Sequence, residues 1–198
     1  NIGGSHWGAP PTFFYPYRGD EYFGEYRYVP HLEFGKEGDY LTDRLTCEAL
    51  QVMEKMKNGP FFLQLAYYTV HSPIEAKKEW VEYYQSKLKP GMRHKNATYA
   101  AMVHSLDENV GRVIRKIEDL GIAERTIVVF FSDNGGVVNE IRGQFITDNA
   151  PLRSGKGSLY EGGIRVPLLI RCPGITQPGS LCNEPVCSTD FYPTFLEI

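Results

Sequence analysis

The sequence predicts an α/β fold, a mostly parallel sheet layered with crossover helices, and three observations predict it. Residues 126–131 read Thr-Ile-Val-Val-Phe-Phe, six β-prone residues without polar alternation, the pattern of a strand buried on both faces. Residues 97–120 place Tyr99, Met102, Leu106, Val110, Val113 and Ile117 at helical spacing, and Gly121 is positioned as a left-handed cap. Along the chain the segments run helix, strand, helix, helix, strand, loop, strand, helix.

Taken in order, residues 1–38 are rich in Gly, Pro and Tyr and lack periodicity, so they read as a long irregular segment. Leu41, Leu45, Ala49, Leu50, Met53 and Met56 then predict a helix that Asn58-Gly59-Pro60 stops. Residues 61–67 form a strand with Val70-His71-Ser72-Pro73 at its carboxyl end. A helix over 75–88 is broken by Pro90-Gly91. The strand over 126–131 delivers Ser132-Asp133-Asn134-Gly135-Gly136, and 137–163 is a long loop. A strand over 164–171 follows, and Ser188-Thr189-Asp190 is an N-cap for a last helix over 191–198.

The 198 residues suffice for one domain with a substantial core, and 42% hydrophobic content excludes global disorder. A net charge of −3 gives no basic surface for nucleic acid, and no apolar run approaches a membrane span. Asn1-Ile2-Gly3-Gly4 carries no basic or apolar leader pattern. Cys182 and Cys187 are close enough to pair, with Cys172 as a competitor, while Cys47 reads as a buried small hydrophobe. Asn96-Ala97-Thr98 is a glycosylation sequon.

Asp133 and Asn134 offer hard oxygens suited to Ca²⁺ or Mg²⁺, and the two following glycines permit a sharp turn and close approach. An Asx turn ending a strand is the plainer use of the same residues. His71 is placed for proton transfer at the end of a strand, or for a local turn hydrogen bond. Lys156, between Gly155 and Gly157, is a point charge for an oxyanion or simply a solvated one. His6, His31, His94 and His104 have no partners at ligand spacing and read as structural or surface residues. The Tyr and Phe residues of 13–28 serve packing more than a sugar cleft.

Several segments in this order resemble the type I sulfatases, arylsulfatase-like members of the alkaline-phosphatase superfamily. They are Phe61-Phe62-Leu63 through Pro73, Phe131 through Gly136, Leu152-Arg153-Ser154-Gly155-Lys156-Gly157, and Tyr160 through Pro167. Asn1-Ile2-Gly3-Gly4, Tyr40 through Leu45, and Asp190-Phe191-Tyr192-Pro193-Thr194 add to the resemblance. It implies an alkaline-phosphatase-like α/β/α sandwich, incomplete here, and a sulfuric ester hydrolase acting on an aryl sulfate or sulfated carbohydrate. By motif, Asp133 and Asn134 become two Ca²⁺ ligands (Mg²⁺ an alternative), Lys156 a sulfate contact, and His71 a sulfate contact and proton donor. The family's nucleophile is a formylglycine made from a C/S-x-P-x-R motif, which this sequence does not contain. The family's amino-terminal Asp-Asp pair and Lys-x-His segment, and its carboxyl-terminal subdomain, are likewise not matched. The resemblance therefore implies a central fragment, 1–198, of a catalytic domain, with 1–38 as the substrate-side segment and 39–198 as the α/β core portion. The formylglycine is expected in an upstream segment, and localisation by resemblance is exported or lysosomal. Two other functions stay open: a phosphatase or phosphonate hydrolase of the same superfamily, and a non-catalytic module that binds sulfated glycans.

Overall fold

The computed structural model describes residues 9–22, 25–32, 34–141 and 143–198, with the side chains of 20–22 and 25–27 left aside. The Asn1–Gly4 segment and His6 lie outside the described residues. A short antiparallel pair, β1 (Gly19–Tyr22) and β2 (Glu25–Arg27), opens the chain. Helix α1 (Leu41–Met56) follows, with Leu41, Leu45, Ala49 and Met53 on its buried face at i, i+4 spacing. Helix α2 runs Lys78–Lys87, and α3 runs Ala97–Asp119. Both α1 and α2 pack on α3.

Helix α3 begins where the sequon lies. The Asn96 side chain accepts the Tyr99 N–H at 2.9 Å, so this amide serves as the N-cap. The helix ends at Gly121, whose φ of 64° is the left-handed conformation that the sequence predicts.

Two apolar clusters hold the layers together. Phe13, Tyr17, Leu41, Leu45 and Met102 form one, joined by Leu65, Tyr67 and Val70. Met53, Ile117 and Ile122 form the other, joined by Phe61, Leu63 and Val128. The segment read as irregular thus supplies much of the first cluster, since Phe13 is 1% and Tyr17 0% exposed. Packing is the use of these two rings, as the sequence suggests.

Residues 61–67 alternate between half-buried and exposed, as expected for extended chain, with Phe61, Leu63, Leu65 and Tyr67 turned inward. Among the described residues, however, they pair with no strand. Strand β3 is Val128–Phe131, shorter than 126–131 because a 3-10 turn at Ala123–Arg125 occupies the approach. A small hairpin of β4 (Glu140–Ile141) and β5 (Gln144–Phe145) interrupts the long loop. The strand expected over 164–171 is confined to β6 (Leu168–Arg171), and a one-turn helix, α4 (Glu161–Ile164), ends the loop before it. The last helix, α5, is Phe191–Glu197, and a 3-10 turn at Ser188–Asp190 leads into it. The Asp190 carboxylate accepts the Cys187 N–H at 2.7 Å rather than capping α5 itself.

The mixed α/β class stands, but the expected parallel pairing does not appear among the described strands. β3 and β6 are antiparallel, from Val128 opposite Arg171 to Phe131 opposite Leu168. A parallel neighbour requires a crossover, ordinarily helical, that carries the chain back along the sheet. Between β3 and β6 the chain instead folds into loops, a hairpin and one helical turn at the same sheet end, and so returns reversed. All four cysteines are free thiols: Cys172 is buried, Cys182 and Cys187 are exposed, and Cys47 is half-buried.

Candidate active site

The site is built from backbone. Beyond β3, the Gly135 N–H donates to the Gly163 carbonyl at 2.9 Å, and the Lys156 N–H donates to the Gly136 carbonyl at 3.0 Å. The Gly162 N–H donates to the Arg153 carbonyl at 2.9 Å. Three chain segments, 132–136, 153–158 and 160–163, are thereby laced into one cluster.

Glycine is required at these contacts for a steric reason. A Cβ at Gly135 would lie 1.8 Å from the Gly162 carbonyl oxygen, and one at Gly162 would lie 2.0 Å from the Ser154 oxygen. At Gly155 it would lie 2.3 Å from the Gly136 oxygen. The backbones approach so closely that no side chain fits between them.

Asn149 closes the cluster. Its side-chain nitrogen donates to the Gly136 carbonyl at 2.9 Å and shares its protons with the carbonyls of Ser154 and Gly162, both at 3.1 Å. Asn149 lies in a featureless part of the 137–163 loop, where its sequence context does not mark it as a site residue. The only signal was an amide in a chain stretch with many carbonyls to satisfy. The Arg153 guanidinium lies 3.7 Å over the Tyr160 ring centroid, beside the lysine loop.

Asp133, Asn134 and Lys156 come together through this lacing. Asp133 and Lys156 are exposed and Asn134 is half-buried. The Asn134 amide nitrogen donates to Asp133 Oδ1. Asp133 Oδ2 and Asn134 Oδ1 take no hydrogen bond among the described residues. Two open oxygens at the carboxyl end of a strand suit a hard cation in chemistry but fall short in number. No group of three or more His, Cys, Asp or Glu side chains forms a metal cage among the described residues.

His71 lies on a separate segment. It is exposed, and its Nδ1 lies 2.7 Å from the Ser72 carbonyl and 3.3 Å from the Ser72 hydroxyl. Its hydrogen bonds among the described residues are local, and none of them joins it to the glycine cluster. Glu75, four residues on, fixes this turn to the amino-terminal segment. Its carboxylate accepts the Thr12 hydroxyl at 2.8 Å and the Phe13 N–H at 2.9 Å. The Tyr40 hydroxyl donates to the Glu75 carbonyl at 2.9 Å, and burial pushes the Tyr40 phenol up to about 12.

The sulfatase family model matches residues 4–198. The chain belongs to the sulfatase family. A sulfatase from Formosa agariphila is 41% identical over 170 residues, which covers 80% of this chain and 30% of that protein. Human steryl-sulfatase is 31% identical, covering 81% of this chain and 26% of its own length. The chain thus spans under a third of these curated sulfatases. The crystal structure of Ps i-CgsB matches with a TM-score of 0.74 at 36% identity, over 88% of this chain and 38% of that one. Its complex with k-i-k-neocarrahexaose matches with a TM-score of 0.71 at 38% identity, over 84% of this chain and 35% of that one. Among the described residues, no helix of this sulfatase chain is long and apolar enough to cross a membrane.

Proposed function

We propose that this chain forms the metal-facing and sulfate-facing part of the reaction centre of a sulfuric ester hydrolase, acting on an aryl sulfate or a sulfated carbohydrate. The observation that carries this reading is the glycine cluster, which joins the Asp133–Asn134 turn to the Lys156 loop by backbone hydrogen bonds.

Asp133 Oδ2 and Asn134 Oδ1 would hold part of the coordination shell of a Ca²⁺ or Mg²⁺ ion. Such an ion would polarise the sulfate oxygens, and a formylglycine from an upstream segment would supply the attacking oxygen. The Lys156 ammonium pairs with a sulfate oxygen and offsets charge that grows on the departing group. With Nδ1–H donating to the Ser72 carbonyl, His71 retains Nε2 to hand a proton to the leaving oxygen when the ring is doubly protonated. Residues 1–38 form the substrate-side segment of a partial catalytic domain spanning 1–198, with 39–198 as its core portion. The bonds from Thr12 and Phe13 to Glu75, close behind His71, support that assignment.

The test is sulfate release by the full natural chain from an aryl sulfate and from a sulfated oligosaccharide. Turnover that falls about 10²- to 10³-fold in kcat/KM in Lys156→Ala is the expected result. Binding of the oligosaccharide without turnover would favour a non-catalytic glycan module. Preference for a phosphate ester would favour a phosphatase.

A further inference from the structure

Between Tyr83 and Leu106 the chain has 24 residues without a single Asp or Glu, although its net charge is −3. Lys87, Lys89, Arg93, His94 and Lys95 fall within this stretch and all are exposed. Lys89, His94 and Lys95 have no side-chain partner among the described residues. The segment is an open turn between α2 and α3: the Met92 N–H donates to the Lys89 carbonyl at 3.3 Å, and Gly91 takes a φ of 84°. Its ammonium groups therefore stand in solvent without a carboxylate to neutralise them.

Two contacts set this turn apart from an ordinary solvated charge run. Arg93 donates to the Ala150 carbonyl at 3.2 Å and pairs with Asp148 at 3.3 Å, flanking the Asn149 that clasps the lysine loop. Three residues further on, Arg153 covers the Tyr160 ring. At the other end, Lys87 lies 4.9 Å over Tyr83, whose ring packs edge-on against Trp80 at 5.9 Å. Arg93 thus ties the basic turn to the 148–150 segment, and a cation lies against an aromatic ring at each end, Lys87 at Tyr83 and Arg153 at Tyr160.

We infer that residues 87–95 form an accessory subsite for a sulfated polysaccharide, gripping sulfate groups on sugars beyond the one at Lys156. This rests on the sulfatase reading of the Lys156 site and adds that the substrate is a polymer with repeated sulfates rather than a single aryl ester. Ammonium and guanidinium groups pair with sulfate half-esters, and ring faces such as Tyr83 and Tyr160 suit the apolar faces of sugars.

The experiment measures binding to the full natural chain by calorimetry at two ionic strengths. The probes are a sulfated galactan hexasaccharide, a monosulfated aryl ester, and a single-stranded oligonucleotide of matched charge. The double variant Lys89→Gln/Lys95→Gln changes only exposed side chains. It is expected to weaken hexasaccharide binding about five- to tenfold, reduce its salt dependence, and leave the aryl ester unaffected. Unchanged hexasaccharide affinity in the double variant overturns the subsite. Oligonucleotide binding as tight as that of the hexasaccharide overturns the sulfated-glycan assignment. Lys156→Ala separates the two readings: if it leaves aryl ester binding intact, the sulfatase reading of that site falls, whatever the double variant does.

Discussion

The side-chain nitrogen of Asn149 donates to the Gly136 carbonyl across 2.9 Å and also reaches the carbonyls of Ser154 and Gly162. Removing it leaves the Ser154 and Gly162 carbonyls short of a donor, while Gly136 keeps that of the Lys156 N–H. Asn149→Ala is expected to cost about 1–3 kcal/mol of stability, the range for unsatisfied polar groups. Thermal unfolding of the variant measures this. A midpoint equal to that of the parent would show that the clasp contributes nothing.

The glycines of the cluster predict a contrast between neighbouring positions. At Gly162 a Cβ would strike the Ser154 and Arg153 carbonyls at 2.0 and 2.5 Å, which only backbone movement relieves. Gly162→Ala is therefore expected to cost about 3 kcal/mol or more. At Gly157 there is open space, but its φ is 85°. Gly157→Ala meets only the left-handed backbone penalty, about 1–2 kcal/mol. Denaturant midpoints of the two variants give the order, and the reverse order would contradict the steric account.

Much of this was legible in the sequence, for reasons of pattern. Helices α1 and α3 announce themselves because Leu41–Met53 and Met102–Ile117 repeat at helical spacing, and tertiary packing only reinforces that spacing. Asp133, Asn134 and Lys156 stand out because they follow a strand or sit between glycines. The direction of β6 was not legible. An apolar run gives no sign of which way it pairs, and Tyr160-Glu161-Gly162-Gly163 takes a helical turn for close packing that propensity does not encode. The same limit hid Asn149, whose role comes entirely from carbonyls remote in sequence.

Acid should weaken a specific tie between α1 and α3. Hydrogen bonds from Lys116, and then from Lys57, hold the Glu54 carboxyl down to about 2 from an ordinary 4.5. A depressed carboxylate contributes stability above pH 4.5 and loses it as pH falls toward 2. The difference in melting temperature between the parent and Glu54→Gln should shrink across that window. The pair is solvent-exposed and the effect correspondingly modest. A difference independent of pH would remove Glu54 as its cause.

The 198-residue chain by itself is expected to release no sulfate, since it carries no C/S-x-P-x-R nucleophile motif. It should also bind Ca²⁺ weakly, because two oxygens fall short of the roughly six to eight that the ion takes. Calorimetry that found micromolar binding lost in Asp133→Ala would contradict the second expectation.

Self-association is the expected behaviour of the same 198 residues in solution. Phe62 is 80% exposed, Leu169 61% and Leu181 94%, and residues 61–67 pair with no strand among those described. Unpaired extended chain with apolar side chains recruits other chains. Sedimentation velocity should show mass rising with concentration, and a single monomeric species at all concentrations would refute this.

The Asp133 turn and the Lys156 loop are joined main chain to main chain, and the Asn149 amide braces the same junction. Their separation is therefore set by peptide geometry, like the jaws of a caliper locked at one opening. A substitution in the apolar clusters that loosens the molecule should lower its melting temperature well before it alters that gap. The main-chain spacing between the Asp133 turn and the Lys156 loop is thus insulated from ordinary drift in the core.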